Sequence, residues 1–500
     1  MNESGPYDVI VVGGGNAALC AALSAREGGA RVALLERAPE AERGGNSSYT
    51  GGSMRFAFDS PQVIHDIVPD LSKEEIANTD FGTYPEARFF DDLYKITQFR
   101  TDPELSEVLI KNSQQAVRWM ARQGIRFLPL YGRHAPNVNG KFKFSNGSTL
   151  GAAGAGLGLV NALYAAAARA GIDIYYQATV KSLLHDDAGV RGVVVRVQGK
   201  TTELNSAAVV LACGGFQANA EWRAKYLGIG WEMAKVRGTR FNTGDGLRMA
   251  LEIGAQPYGN WSSAHAVGWD LNAPPYGDIQ VGDGFGKHSY NYGVMVNAEG
   301  KRFLDEGADF RNFTYAKYGK VILAQSGQFA WQIFDAKVLH LLRDTYRIKK
   351  VTKVRAETLP ELADKLDGVN KEAFLKTIEQ FNNAVRKDVP FDASIKDGRG
   401  TVGLEMPKSN WAQEINEGPF EAYAVTCGIT FTFGGLKINT QAQVIEMEEQ
   451  TIPGLFAAGE LVGGIFYFNY PGGTGLTNGT VFGRIAGQSA AQFAQSLRGK

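Results

Sequence analysis

The sequence predicts an α/β protein, and three observations carry that reading. A short apolar run, Tyr7–Val12, passes through Gly13-Gly14-Gly15 into an Ala/Leu-rich stretch and on to a second apolar run at 31–35. This is the spacing of strand, turn, helix and strand. Glycine turns of the same texture return far away, at 454–464 and 472–475, after a long middle stretch of different composition. Finally, 500 residues exceed what one hydrophobic core usually fills. Together these features specify a Rossmann-like nucleotide-binding domain split in sequence, residues 1–261 and 425–500. An α+β capping domain, residues 262–424, is inserted between the halves.

The elements follow in order. After the opening βαβ unit, residues 61–124 read as helical and peripheral, with Leu105, Val108, Leu109, Ala116 and Trp119 at helical spacing over 104–122. A glycine-rich loop at 151–158 feeds a helix predicted over 159–170. Strands are expected at 173–177, 190–197 and 207–212. The string Asn242-Thr-Gly-Asp-Gly246 opens another helix. From about Trp261 the chain turns aromatic and irregular, with a helical part at 359–386, and it closes on a helix at 477–497.

Composition narrows the class. Hydrophobic content of 44% and charged content of 21% are ordinary for a globular chain, and 52 basic residues balance 52 acidic ones. Nothing in that charge attracts nucleic acid or an anionic membrane. No run approaches a membrane span or a signal segment, so a cytoplasmic chain is expected. Cys20, Cys213 and Cys427 are far apart and form no metal, cluster or haem motif; each reads as a small buried residue. No metal site is expected.

The chemistry lies in the glycine turns. In Gly13-x-Gly15-x-x-Ala18 the first glycine permits a tight turn and the second lets backbone approach a pyrophosphate. Ala18 keeps helix and strand close, and Asn16 and Ala17 start the helix whose positive end faces the phosphates. Glu36, roughly 20 residues on at the end of the next strand, is placed to accept ribose hydroxyls, with Arg37 beside it. An acidic residue there disfavours NADP and leaves FAD or NAD. Three further turns favour FAD: Gly44-Gly45-Asn46-Ser47-Ser48, Cys213-Gly214-Gly215-Phe216 and Ala457-Ala458-Gly459-Glu460. Glu460 is expected on the ribityl hydroxyls and Asp245 at the cofactor. Gly472-Gly473-Thr474-Gly475-Leu476 opens the last helix toward the flavin ring, where a helix N-terminus stabilises reduced, anionic flavin.

With these motifs the chain resembles the flavoprotein subunits of succinate dehydrogenase and fumarate reductase and their soluble relatives. VVGGGNAAL, LLERAPE, GGNSS, VLACGGF, NTGDG, VNAEGKRFLDE, LFAAGE and FGRIAG carry the likeness over nearly the whole chain. Within the family it is most similar to tricarballylate dehydrogenases, through ERAPEAERGGNS, TYPEARF, YAKYG and NYPGG; ketosteroid dehydrogenases share YPGG. The resemblance implies substrate between the two domains. No histidine lies between Arg43 and Gly52, where covalent members carry one, which implies non-covalent FAD. Arg311, one residue later than the reductases' proton-carrying arginine, is the implied proton carrier. His265 resembles the first substrate-carboxylate histidine.

Two departures matter. The reductases carry a histidine where this chain has Thr430 and Phe431 ahead of Thr432. They carry an arginine where it has Tyr470. Half of a dicarboxylate clamp is missing or rebuilt, which counts against plain fumarate or succinate. Tyr470, matched by a carbonyl-polarising tyrosine in ketosteroid dehydrogenases, would bond a substrate oxygen. Thr430, Thr432 and Arg55 are further substrate candidates. Lys287 and His288, in a Gly/Asp/Tyr loop, read as a solvated loop ahead of the alternative that they bind anionic substrate, and His65, His134, His185 and His340 stand in no pattern.

The expected activity is hydride exchange across a CH–CH bond next to a carboxylate, of the tricarballylate/cis-aconitate kind. The alternatives are a ketone-directed 1,2-dehydrogenase and an electron-transfer subunit with a vestigial site. An external electron carrier, an iron–sulfur protein or a quinone, is implied.

Overall fold

A computed structural model describes residues 6–135, 137–138, 140–144 and 147–498. Its principal sheet has eight strands. Tyr7–Val12 pairs in parallel with Val32–Leu35 on one side and with the second half of Lys200–Leu211 on the other. Asp173–Tyr175 extends the parallel array beyond Val32–Leu35, and Thr451–Ala457 extends it beyond Lys200–Leu211. Tyr7–Val12, Val32–Leu35 and Thr451–Ala457 are buried along most of their length, and Lys200–Leu211 is buried over its second half, as a sheet covered on both faces requires. Lys200–Leu211 changes partner midway: residues 200–205 pair antiparallel with Gly189–Val197 before Ser206 joins Tyr7–Val12.

The helix Asn16–Glu27 returns the chain from the first strand to the second and packs along the closing helix, Thr474–Arg498. This brings the two ends of the sequence together beneath one glycine turn. Gly13 makes that turn at φ +115°, where a Cβ would stand 2.4 Å from the Ala212 carbonyl oxygen. The carboxyl ends of Tyr7–Val12 and Lys200–Leu211 thus open a crevice where nucleotides bind in such sheets.

A second sheet of six strands is organised by one long strand, Phe420–Leu436. It pairs antiparallel with Pro257–Asp270, Phe329–Phe334 and Lys353–Ala356; Val294–Val296 lies beyond Phe329–Phe334. The register sets His265 opposite Phe431 and Ala264 opposite Thr432, so two distant segments share one surface. The strand Pro257–Asp270 runs through residue 261, and Phe420–Leu436 runs through residue 424.

Several boundaries differ from the sequence reading. The helix expected from Leu159 begins at Ala155, inside the expected glycine loop. Gly156 is why: its missing side chain lets the first turn lie against residues 45–49, where a Cβ would sit 2.1 Å from the Ser47 carbonyl oxygen. The peripheral region holds four helices, the longest Pro103–Arg122. Asp102 caps it through Leu105 N–H at 3.0 Å, and Leu105, Leu109, Ala116 and Trp119 are buried on its inner face. The helical part at 359–386 is two helices, Leu359–Lys365 and Lys371–Ala384, separated near Gly368 at φ +74°. Cys20 and Cys427 are buried, but Cys213 is half-buried at the crevice. Among the described residues no helix is long and apolar enough to cross a membrane.

Candidate active site

Two cavities meet at the glycine turns. One, of about 920 Å³, is lined by Gly13, Gly15, Glu36, Arg37, Gly45, Gly214 and Asp245. The other, of about 1190 Å³, is lined by Tyr470, Gly475 and Leu476 together with Arg237, His265, Arg311 and Tyr315. Asn16, Ala17, Asn46, Ser47 and Glu460 line both, so the two form one continuous channel.

The smaller cavity has the chemistry of a dinucleotide site. It sits over the first turn of Asn16–Glu27, whose N–H groups have no acceptor within the helix. Asn16 N–H is taken by Ser47 Oγ at 3.0 Å, leaving the next amides for a phosphate. Ala18 is buried beneath this turn. Glu36 is buried, and burial pushes its carboxyl up to about 7 against backbone N–H donors led by Ala38. Its Oε1 accepts from Ala38 N–H at 2.8 Å. A carboxylate at that depth gains from further donors, which ribose hydroxyls supply. Arg37 spans the cavity edge, donating to Thr243 Oγ1 at 2.6 Å and to Asp245 Oδ2 at 2.7 Å. These residues fit the adenosine and pyrophosphate of FAD.

Other predicted cofactor residues do indirect work. The Asn46 amide bridges segments, accepting from Thr239 N–H at 2.9 Å and donating to the Thr430 carbonyl. Asn16 Nδ2 donates to the Leu476 carbonyl at 2.8 Å and to Thr480 Oγ1 at 3.1 Å, fastening the first helix to the last. Gly215 packs behind the wall, against Glu460 and Thr432. Glu460, also raised to about 7 by burial, accepts from Thr432 N–H at 2.9 Å and from Gln217 Nε2 at 3.2 Å.

The larger cavity gathers Arg311, His265, Tyr470, Thr430 and Thr432 as the sequence reading expected, together with groups it did not single out. Arg311 Nη2 donates to Asn312 Oδ1 at 2.5 Å, and its guanidinium lies 5.2 Å from the Tyr315 ring centre. Tyr470 Oη accepts from Tyr315 Oη–H at 2.9 Å and from Gly473 N–H at 3.1 Å. Both acceptor positions of that hydroxyl are therefore filled, and its own proton is available to another oxygen. Burial and the neighbouring Tyr470 hold the Tyr315 hydroxyl well above its ordinary value. His265 stacks on Phe431 at 5.2 Å and meets Tyr315 and Tyr470 edge-on. Burial and nearby Arg237 hold it well below the usual imidazole range.

Arg237, which no motif marked, also lines this cavity. Its backbone N–H is bound to the Ile429 carbonyl at 2.8 Å. Its buried guanidinium donates to Asp283 Oδ1 at 2.6 Å and to Thr430 Oγ1 at 3.0 Å. It thus sets a cation beside one of the positions where the motif comparison found none. His288, expected on a solvated loop, is buried in the cavity wall, and so is His134, which no pattern marked. Lys287 is buried outside the cavity, donating to the carbonyls of Gly284 and Thr345.

Arg55 does not line the cavity. Its buried side chain donates to the Gly472 carbonyl at 2.9 Å and to Tyr84 Oη at 2.7 Å, with Asp92 at 3.4 Å. It supports the Gly472-Gly473 turn from behind, because its segment runs antiparallel to Leu150–Ala152 under that turn.

Comparison with known proteins agrees with this geometry. Residues 8–476 match the family model described as FAD binding domain. The chain is 32% identical over 497 residues to the fumarate reductase (cytochrome) of Shewanella frigidimarina, covering 98% of this chain and 77% of that protein. It is 28% identical over 523 residues to the vinyl phenol reductase of Lactiplantibacillus plantarum, covering 97% of each. The open conformation of a flavocytochrome c3 fumarate reductase matches it with a TM-score of 0.72 at 29% identity, over 98% of this chain and 79% of that one. The chain belongs to the FAD-binding flavoprotein family that contains the fumarate reductases, and it is an FAD-dependent oxidoreductase of the CH–CH class.

Proposed function

We propose that the enzyme moves hydride across a carbon–carbon bond next to a carboxylate, with tricarballylate and cis-aconitate as the nearest substrate pair. The observation that carries this reading is the joint lining of one cavity by Arg311, His265 and the Tyr315–Tyr470 hydroxyl pair, continuous with the dinucleotide site. Bound FAD supplies the two-electron donor or acceptor. Arg311 holds the substrate carboxylate end and exchanges the proton on the carbon next to the one that trades hydride. Arginine is a poor acid by its intrinsic pKa, so this role depends on a dry cavity. His265, neutral and with both ring nitrogens lacking a protein partner, donates its ring N–H to a carboxylate oxygen. Tyr470 gives its free proton to the oxygen conjugated with the reacting bond, where charge grows in the transition state. The residues 1–261 and 425–500 hold the cofactor, and 262–424 cap it. Electrons leave or arrive through an external carrier.

A ketone-directed dehydrogenase is the second reading. It is favoured by the doubly supported Tyr470 hydroxyl and by the aromatic wall of Phe431, Phe433 and Phe466. An anaerobic screen of carboxylic acids and ketones for flavin bleaching separates the two. Bleaching by polycarboxylates supports the first reading, and bleaching only by ketones supports the second.

FAD is held without a covalent bond in this proposal, since residues 44–53 offer no histidine to the cavity. Acid precipitation should release yellow FAD into the supernatant; colour retained in the pellet would overturn that assignment.

A further inference from the structure

We propose that Arg237, with Thr430 and His265, forms a second carboxylate subsite, and that Arg237 sets a preference for substrates bearing more than one carboxylate. The proposal rests on the carboxylate reading above and names what that reading leaves open, the charge of the substrate.

A guanidinium has five N–H groups. Arg237 gives Nε–H and one Nη2–H to Asp283 Oδ1, at 3.0 and 2.6 Å, and one Nη1–H to Thr430 Oγ1 at 3.0 Å. One further N–H on each Nη has no acceptor among the described residues, and the side chain borders the cavity. Asp283 is what allows the arginine to wait there. A buried lone guanidinium is costly, whereas a hydrogen-bonded pair is tolerated. One edge of the planar fork is thus anchored, and the remaining donors are open to a ligand oxygen.

His265 supplies an independent observation. It is 1% exposed, it lines the same cavity, and neither ring nitrogen has a hydrogen-bond partner. Buried polar groups are rarely left so, and ligand-binding sites are where the exceptions gather. The strand register places it over Phe431, next to Thr430, which is where Arg237 reaches. A carboxylate here meets a guanidinium edge and an imidazole together.

The spacing then points to two stations. The Tyr315 ring packs against both His265 at 5.0 Å and His288 at 5.3 Å, and Arg311 stands over it. His288 is also buried, with both ring nitrogens open. Two cations, Arg237 and Arg311, and two open histidines therefore line the cavity around the Tyr315–Tyr470 pair. A substrate with carboxylates on both sides of its reacting bond satisfies both stations; a monocarboxylate leaves one empty.

The test uses the FAD-loaded enzyme with Arg237→Met and with the charge-balanced double variant Arg237→Met/Asp283→Asn, which leaves no lone buried carboxylate should the single variant fold poorly. Spectral titration of the oxidised flavin gives Kd for cis-aconitate and for crotonate, so no turnover is needed. Steady-state rates with tricarballylate and butyrate are measured alongside. The ratio of crotonate to cis-aconitate Kd should collapse by about 10- to 100-fold in the variants, the size expected for a lost charge-assisted hydrogen bond. A ratio within about threefold of wild type would overturn the subsite while leaving the carboxylate reading intact. A wild-type enzyme that binds neither acid and is bleached by neither tricarballylate nor butyrate would overturn both.

Discussion

Single atoms decide the chemistry at Tyr470. Its hydroxyl oxygen already accepts two hydrogen bonds, from Tyr315 and Gly473, which polarises its proton toward a third oxygen. Tyr470→Phe removes that proton and keeps the ring packed on Phe431 and Phe466. We predict a kcat loss of about 10²-fold or more with FAD content unchanged, the loss seen when one transition-state donor is deleted. Wild-type kinetics would show that Tyr470 only lines the site. Glu36 makes a pH prediction. Its folded-state value of about 7 lies above the ordinary 4.5, so the FAD-free chain holds more protons than the unfolded chain between those values. Its stability therefore falls as pH rises through that window and levels off above about 7. Ribose hydroxyls favour the ionised carboxylate and reverse the sign for binding, so FAD affinity should strengthen from pH 5 to about 7. Dissociation constants across that range check this, and Glu36→Gln should flatten the slope because an amide has no proton to lose. The site residues at this scale divide by legibility. Glu36 and Gly13 were readable because strand, turn and acid lie within one local unit. Arg237 and Tyr315 were not: the pairing of 235–236 with 428–429 carries the first to the cavity, and the packing of the helix Tyr315–Leu323 on the strand Pro257–Asp270 carries the second.

At the scale of elements, the first and last helices hold the cofactor turn in place. Gly487 faces Ala21 so closely that a Cβ would stand 2.1 Å from its carbonyl oxygen, and at Gly483 the same distance to the Ala17 carbonyl is 2.5 Å. Backbone cannot yield as a flexible side chain would, so Gly487→Ala must part the helices. We predict destabilisation of about 1–3 kcal/mol together with weaker FAD retention, because Asn16 and Leu476 are bonded across the same helix pair. The exposed neighbour Gln488 is the control; equal thermal midpoints for Gly487→Ala and Gln488→Ala would refute the packing argument. The small residues of the FGRIAG string were visible in sequence, but their partner helix was not. The start of Ala155–Arg169 was misplaced for a related reason: Gly156, which read as loop, is a helix residue kept small for a tight contact with Ser47 and Thr50.

Across the whole molecule, the two ends of the chain build a cofactor cavity and the long central strands bring a second cavity against it. Arg311 and Tyr470, which share no local motif, are joined by turn-to-turn contacts: Gly472 N–H to the Asn312 carbonyl at 3.2 Å and Asn469 Nδ2 to the Phe313 carbonyl at 2.7 Å. These fix the cation of one segment against the hydroxyl of the other, and the mechanism depends on that registration. The account stands or falls on Arg311 in the FAD-loaded enzyme. The measurement is anaerobic flavin bleaching by tricarballylate, followed by stopped flow in wild type and Arg311→Gln. The account predicts rapid bleaching in wild type and a loss of at least about 10³-fold in the variant, with flavin spectrum and FAD content unchanged because Arg311 bonds to Asn312 and not to the dinucleotide cavity. Bleaching of Arg311→Gln by tricarballylate within a few-fold of wild type would contradict it and remove Arg311 as the proton carrier.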